Sequence, residues 1–314
     1  MRCLFLAFPG FQLLDVTGPA AVFGAACDDV GEPAQISVVA GAGGMVTSNC
    51  GLALACSPLP PARAVDGLFV VGGDDAGMRA MVDDARIAQW FRRQARSARF
   101  HGSICTGALA LAAWGLTRGK RVTTHWRTAR DLAARDAGTA VESDAMYICD
   151  GSLWTSAGVT AGIDMALALV EQSFGASVAR RVARRLVMSV RRAGFQSQYS
   201  PMVDAQARSE GRYSDLVAYI ASNLHARLDV ASLADRVAEA PRTFHRRFRA
   251  VMGVTPQAFV SGARLDRARE LLADGNTVKQ AASACGYSSP EHLAKTFVAA
   301  FGVSPANWRQ NNRV

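Results

Sequence analysis

Hydrophobic and polar positions alternate along this chain in two different rhythms. In the first two-thirds, short apolar runs at residues 2–8, 35–40, 67–72 and 100–104 are separated by helix-like stretches such as 17–27 and 83–97. Such alternation predicts an α/β domain with a largely parallel sheet, because β-branched and aromatic runs of this length suit strands buried on both faces. Thr17 with Pro19 close behind, and Asp83–Asp84, mark helix starts. Residues 145–149 and 152–156, joined at Asp150–Gly151, predict a hairpin added to the sheet, and a helical run follows over 161–190.

From Ser214 onward the rhythm is helical throughout. Segments are predicted at about 214–224, 231–238, 241–251, 256–273, 278–285, 290–301 and 305–310. One pattern occurs twice: Pro241, Phe244, Phe248, Gly253, Val254, Thr255, Pro256 and Phe259 recur 49 positions later as Pro290, Leu293, Phe297, Gly302, Val303, Ser304, Pro305 and Trp308. A single structural unit has therefore been used twice. In each copy a short helix leads through a tight connection into a second one, which is helix-turn-helix geometry. Ala234 and Val237 should face the core of the first unit, and Ala281, Ala282 and Cys285 that of the second.

Composition narrows this picture. A length of 314 residues with 50% apolar content suits two packed domains. The seven cysteines form no CxxC pair and no Cys/His ligand spacing, so neither a structural zinc nor a disulfide framework is expected, and no metal or cofactor is called for. The apolar run Cys3–Phe8 is too short for a membrane span or a signal-peptide core, which points to a cytoplasmic protein with no membrane partner. Basic charge is concentrated at one end: residues 241–314 carry 11 Lys/Arg against 4 Asp/Glu. That excess is the footprint expected of polyanion binding, although an exposed basic face is often merely solvated.

Candidate chemistry lies at Gly102-Ser103-Ile104-Cys105-Thr106-Gly107-Ala108, where an apolar strand runs directly into a helical segment. A side chain at such a turn projects above the sheet at the positive end of the next helix, where a thiolate would be stabilised. Backbone N–H groups near Thr106 and Gly73 could form an oxyanion-type pocket. Free cysteine is also among the most commonly buried residue types, so a purely structural Cys105 is the competing expectation. The other cysteines lack this context and read as core or incidental surface positions.

These residues, with Asp15 in Leu13-Leu14-Asp15-Val16-Thr17-Gly18-Pro19, the turn Val71-Gly72-Gly73 and Thr123-Thr124-His125-Trp126, resemble the ThiJ/PfpI branch of the class I glutamine-amidotransferase-like superfamily. The resemblance implies a flavodoxin-like sandwich over residues 1–195, with Cys105 at the nucleophile position and Asp15 as the acid that bonds its sulfur. Thr106 stands where protease-like members have histidine, and the Asp15–Thr106 combination is closer to isonitrile hydratases. Asp15, Gly72, Gly73, Cys105, Thr106 and His125 are accordingly the expected ligand pocket, with no catalytic residue assigned.

Arg191-Arg192-Ala193-Gly194-Phe195-Gln196-Ser197-Gln198 is similar to the strap joining the two domains of GlxA-type regulators, and residues 196–213 read as a linker. Arginines 180, 181, 184 and 185 read as a solvated or dimer-flanking face. Residues 214–314 resemble the AraC/XylS family, an all-α domain with two helix-turn-helix units, down to the terminal Gly-Val-Ser-Pro-x-x-Trp-Arg. That resemblance implies that the two recognition helices enter adjacent major-groove segments of double-stranded DNA. Arg242, Thr243, Arg246 and Arg247 of the first, and Ser288, Ser289, Glu291, His292 and Lys295 of the second, are the expected DNA-facing residues. Arg242 and Arg246 are expected at base edges, Arg247 and Lys295 at phosphates.

The implied function is a transcriptional regulator, an activator by analogy, that responds to a small nitrogen-containing metabolite near Cys105. A second copy of the chain is an expected partner and RNA polymerase a possible one. The competing expectations are a cysteine-dependent amidase, isonitrile hydratase or carbonyl-directed enzyme, and a thiol redox sensor.

Overall fold

The computed structural model describes residues 1–143, 145–188, 212–301 and 303–311. Two compact units divide the chain, Met1–Gln198 and Tyr199–Val314. The expected strap at 191–198 and nearly all of the expected linker lie outside the described residues.

In the first unit the elements run β1 (Arg2–Leu6), α1 (Leu13–Val30), β2 (Gln35–Ala40), β3 (Gly44–Thr47), β4 (Ala53–Pro58), β5 (Val65–Val70), α2 (Asp75–Asp83), α3 (Ala85–Ala95) and β6 (Ala98–Ile104). They continue through α4 (Ala108–Ala113), β7 (Arg121–Val122), α5 (Ala129–Arg135), β8 (Ala140–Val141), β9 (Tyr147–Asp150), β10 (Leu153–Ser156), α6 (Thr160–Phe174) and α7 (Ala176–Arg185). Eight strands form one sheet in the order β3-β4-β2-β1-β5-β6-β10-β9. The central strands are parallel, in register such as Phe5↔Val38 and Phe5↔Phe69. The expected 145–156 hairpin is present as β9–β10, turning at Gly151 in the left-handed region, and β10 extends the sheet in parallel beside β6.

Strand order reverses between β1 and β5. The chain moves outward from β1 to β2 on one side and from β5 to β6 on the other, so right-handed crossovers put α1 and α3 on opposite faces. This is the layered sandwich expected. Phe5, Phe23 and Phe69, with ring centroids 5.7–6.4 Å apart, anchor α1 to the sheet.

Three local expectations are corrected. Helix α1 begins at Leu13, not near Thr17, and carries Pro19 inside it. The stretch 83–97 is the end of one helix and all of another: Asp84 stops α2 and caps α3 by accepting from Arg86 N at 2.8 Å and Ile87 N at 3.4 Å. The run 161–190 breaks at Gly175, whose φ of 89° no helix accommodates. Along α7, Arg181 pairs with Asp29 at 2.6 Å and Arg185 with Asp28 at 3.0 Å, so these two arginines tie α7 to the end of α1.

The second unit is all helical: α8 (Arg212–Ser222), α9 (Val230–Arg236), α10 (Pro241–Met252), α11 (Pro256–Ala273), α12 (Val278–Ala284), α13 (Pro290–Phe301) and α14 (Pro305–Asn311). Its first half packs Leu216, Val217, Ile220, Leu233, Ala234, Phe244, Phe248 and Phe259 into one core. In the second half Ala281, Ala282, Cys285, Leu293, Phe297 and Trp308 are buried as their spacing predicts. Local signals set the helix ends. Thr255 caps α11 through Ala258 N at 3.2 Å, Thr277 and Gln280 form a reciprocal capping box on α12, and Gly253 closes α10 in the left-handed conformation. Arg264 of α11 joins the halves by donating to the carbonyls of Leu224 at 3.0 Å and Ala226 at 2.8 Å.

Candidate functional site

The loops that leave the carboxyl ends of β1, β5, β6 and β10 meet where the strand order reverses, the usual crevice for a ligand in such a sheet. Cys105 follows β6 directly and takes φ 57°, a left-handed conformation that costs a non-glycine residue of order 1–3 kcal/mol. Glycines make room for it. A Cβ on Gly158 would overlap Cys105 Cβ and Cα, one on Gly72 would stand 2.7 Å from both Cys105 Cβ and Thr106 N, and one on Gly107 would run into the Val70 carbonyl. Thr124 Oγ1 donates to the Cys105 carbonyl at 3.0 Å and holds the turn from the far side.

Asp15 is fully buried in the first turn of α1. Its two carboxylate oxygens accept from Gly72 N at 2.9 Å and Val159 N at 2.8 Å. Burial pushes its pKa up to about 6 against the pull of those two bonds. The acid thus ties the first turn of α1 to the β5 turn and to the start of α6. The family resemblance implied a hydrogen bond from this acid to the sulfur; its oxygens are instead taken by the two amides, and it acts on Cys105 through its charge.

The expected stabilised thiolate is also corrected. Cys105 is only 7% exposed, and burial, followed by the Asp15 charge, raises its pKa far above the ordinary thiol value, outweighing hydrogen bonds from Thr106. The α4 helix spans six residues behind a tight 3-10 turn and offers too little dipole to reverse this. Of the N–H groups expected to bind an oxyanion, that of Gly73 is already engaged, donating to Thr106 Oγ1 at 3.2 Å. His125 caps a 3-10 turn, its Nδ1 accepting from Arg127 N at 3.4 Å, and burial and Arg127 hold its pKa below the usual imidazole value. The structure therefore gathers Asp15, Gly72, Gly73, Cys105 and Thr106 at one point, with His125 next in sequence to the Thr124 that braces it.

Sequence reasoning missed Gly158 and Val159, which close the elbow from a segment that carries no motif. It also passed over Cys50, an exposed thiol whose pKa is lowered by the Ser48 hydroxyl, 3.3 Å away, and by Leu52 N–H.

In the second unit Phe244 and Phe248 fix the inner side of α10, leaving Arg242, Arg246 and Arg249 exposed at i, i+4 and i+7. Thr243 and His245 flank them, partly exposed; His245 and Arg249 were absent from the expected set although the spacing of the two phenylalanines places them. Arg247 is committed elsewhere, donating to Glu239 at 3.1 Å, while Glu239 also accepts from Tyr213 OH at 3.1 Å.

On α13, Ser289 accepts from His292 N at 3.1 Å and is the helix cap. Glu291, its pKa lowered by its own N–H and by Ser289, complements the positive helix end. Ser288 Oγ lies 3.0 Å from His292 Nδ1. Outward-facing at this helix are His292 and Lys295, and His292 and Thr296 border a cleft of about 950 Å³ shared with His225, Gln257, Ser261 and Arg264. No helix among the described residues is long and apolar enough to cross a membrane, and no cluster of His, Cys, Asp and Glu among them could hold a metal.

Comparison with known proteins agrees with both halves. Residues 1–172 match the DJ-1/PfpI family and residues 233–311 a helix-turn-helix domain. The chain is 30% identical over 97% of its length to the HTH-type transcriptional regulator CdhR of Pseudomonas aeruginosa, covering 90% of that protein. It is 27% identical to the HTH-type transcriptional regulator GlxA of Rhizobium meliloti, covering 99% of this chain and 96% of that one. Over 58% of its length, and 76% of the relative's, it is 38% identical to the isonitrile hydratase of Pseudomonas putida. With an elbow cysteine at a strand-order reversal ahead of two repeated helix-turn-helix units, the chain belongs to the DJ-1/PfpI family, in the branch of transcriptional regulators that carry an AraC-type DNA-binding domain.

Proposed function

We propose that this regulator reads a promoter site with α10 and α13 in adjacent major-groove segments and activates transcription when a small nitrogen-containing metabolite occupies the elbow at Cys105. In this reading residues 1–195 sense, 196–213 link and 214–314 bind DNA, and the protein works in the cytoplasm as a homodimer, with RNA polymerase as a further partner. The observation that carries it is the pairing of two like helices, each with an apolar inner side and cationic or hydrogen-bonding side chains outward. Arg242 and Arg246 are assigned to base edges and Lys295 to phosphate. Arg247 holds Glu239, and Ser289 and Glu291 form a helix start, so their part in recognition is indirect.

Sensing requires a ligand that binds two states of the protein unequally. The elbow suits occupancy better than turnover, since its thiol is buried, its pKa is raised, and the Gly73 N–H is spent on Thr106. Thermal-shift screening with small amines, amino acids and betaines should yield a compound that raises the melting temperature of the wild type and changes its affinity for promoter DNA. A compound that stabilises the protein without changing DNA affinity would refute the sensing reading.

The enzymatic alternative draws on the isonitrile hydratase likeness and the strained Cys105. Product formation from an isonitrile, an amide or a reactive carbonyl, lost in Cys105→Ala, would establish it.

A further inference from the structure

The two helix-turn-helix units differ in their turns. Ala238 N donates to Asp235 O as Gly286 N does to Ser283 O, yet Pro241 follows three residues after the start of the first turn and Pro290 four after the second. The second turn therefore holds one residue more. Its middle residues do something the first turn does not: Tyr287 sets its ring edge-on to the imidazole of His292, centroids 5.4 Å apart, and Ser288 Oγ approaches His292 Nδ1 at 3.0 Å. Tyr287 is fixed in turn by Gly286 at φ 69°, where a Cβ would press on the Leu224 carbonyl and Arg264. An exposed imidazole on a helix ordinarily samples several rotamers. Here one ring nitrogen is engaged and the ring plane is set by a neighbour.

The bond at Nδ1 decides what the other nitrogen does. In the neutral tautomer protonated at Nε2, Ser288 donates to Nδ1, the arrangement that uses the stronger acceptor of the two atoms. In the charged imidazolium Nε2 is again protonated, with Ser288 accepting. In both of these states Nε2–H is a donor. Among major-groove edges, guanine presents two adjacent acceptors, N7 and O6, whereas thymine presents a single acceptor, O4, beside its methyl group, adenine pairs its N7 with a donor amino group that repels an approaching N–H, and cytosine presents a donor alone.

We infer that His292 is a specificity-determining residue that reads the N7/O6 edge of a guanine through Nε2–H, and that Ser288 and Tyr287 are its positioning residues. The inference rests on the proposed DNA-binding role of α13. It reassigns Ser288 from contacting DNA to orienting the residue that does.

The test uses the full chain. Wild-type protein selects from a randomised duplex pool, and the enriched site is measured base by base in wild type, His292→Ala, Ser288→Ala, Ser288→Thr and Tyr287→Phe. One guanine in the half-site read by α13 should be preferred roughly tenfold or more, in keeping with one good base contact. His292→Ala should abolish that preference alone. Ser288→Ala should weaken it several-fold, and Ser288→Thr, which keeps the hydroxyl, should restore it; Tyr287→Phe should leave it intact because only the ring is used.

Replacing that guanine by 7-deazaguanine, which lacks the N7 acceptor, should weaken wild type and leave His292→Ala unaffected. If His292→Ala weakens all sequences alike and lowers the salt dependence, His292 contacts phosphate and the inference fails while the DNA-binding reading stands. If Ser288→Ala keeps the full preference, the positioning roles fail. If wild type enriches nothing, the DNA-binding reading itself is lost, and this inference with it.

Discussion

The two halves of this protein build their functional surfaces in opposite ways. At the elbow nearly everything is backbone: a cysteine in a left-handed conformation, glycines whose missing side chains are the space it occupies, and an acid whose oxygens are spent on two amides. On the helix-turn-helix face the backbone is ordinary, capped at its ends, and the chemistry stands on exposed side chains. The first arrangement stores strain and tolerates almost no substitution. The second can be rewritten one residue at a time, which is how a regulator could keep one sensing architecture while changing the promoters it reads.

The contrast breaks first at Gly158. Its left-handed backbone and its contact with Cys105 leave no room for a Cβ, so Gly158→Ala should destabilise the first unit by about 3 kcal/mol or more. Urea unfolding followed by tryptophan fluorescence would measure it, since Trp90, Trp114, Trp126 and Trp154 lie in that unit and only Trp308 in the other. An unchanged midpoint would mean that the elbow is not under the constraint described.

Asp15 gives a pH-dependent version of the same comparison. Its folded pKa of about 6 lies above the ordinary aspartate value of 3.8, so the folded site holds its proton more tightly than the unfolded chain does. The resulting stability is fully present below pH 3.8 and is lost as pH rises through 6. Relative to Asp15→Asn, the wild type should therefore lose up to about 3 kcal/mol between pH 4 and pH 7. Carboxylates with lowered pKa values, such as Asp84, Asp136 and Asp150, oppose this trend but are common to both proteins.

On the exposed face the effects should be smaller and of another kind. Arg242→Ala should leave stability within about 0.5 kcal/mol of wild type and remove ~1–3 kcal/mol of discrimination at one base pair. Arg247→Ala should leave base preference unchanged and cost about 1 kcal/mol in stability, because the arginine is exposed but the Glu239 carboxylate that it pairs with is only 6% exposed. Parallel melting curves and binding to single-base variants of the operator would distinguish the two arginines. The least consequence for stability is expected from thiol labelling. Iodoacetamide at pH 8 should modify Cys50 well before Cys105, because Cys50 is exposed with a lowered pKa and Cys105 is buried with a raised one. Peptide mass spectrometry at timed intervals reads the order, and faster labelling of Cys105 would contradict its buried, protonated state.

Most of the second unit was legible from residues alone. Thr255 and Ser289 start helices by bonds reaching three residues along the chain, Pro241 by its fixed φ at the first helical position, and Phe244 with Phe248 declares which side is inward. In the first unit the central strands and the elbow could be read, but the edge hairpin β3–β4 could not. Its burial is mostly slight and its residues do not alternate cleanly between apolar and polar. Thr17–Pro19 misled because a helix can carry a proline where the chain is otherwise held, and here Asp15 binds the first turn of α1 in place.

By itself, then, the sequence determined the two-part plan, the positions of nearly every C-terminal helix and the placing of a cysteine at a strand-to-helix turn, because all of these depend on periodicity and on contacts a few residues apart. Only the tertiary structure decided the state of that cysteine and the partners of Asp15 and Arg247. Asp15 meets amides 57 and 144 positions away, and the charge state of Cys105 follows from how much water the fold removes around it. Desolvation and long-range hydrogen bonding are properties of the assembled chain, and no local pattern encodes them.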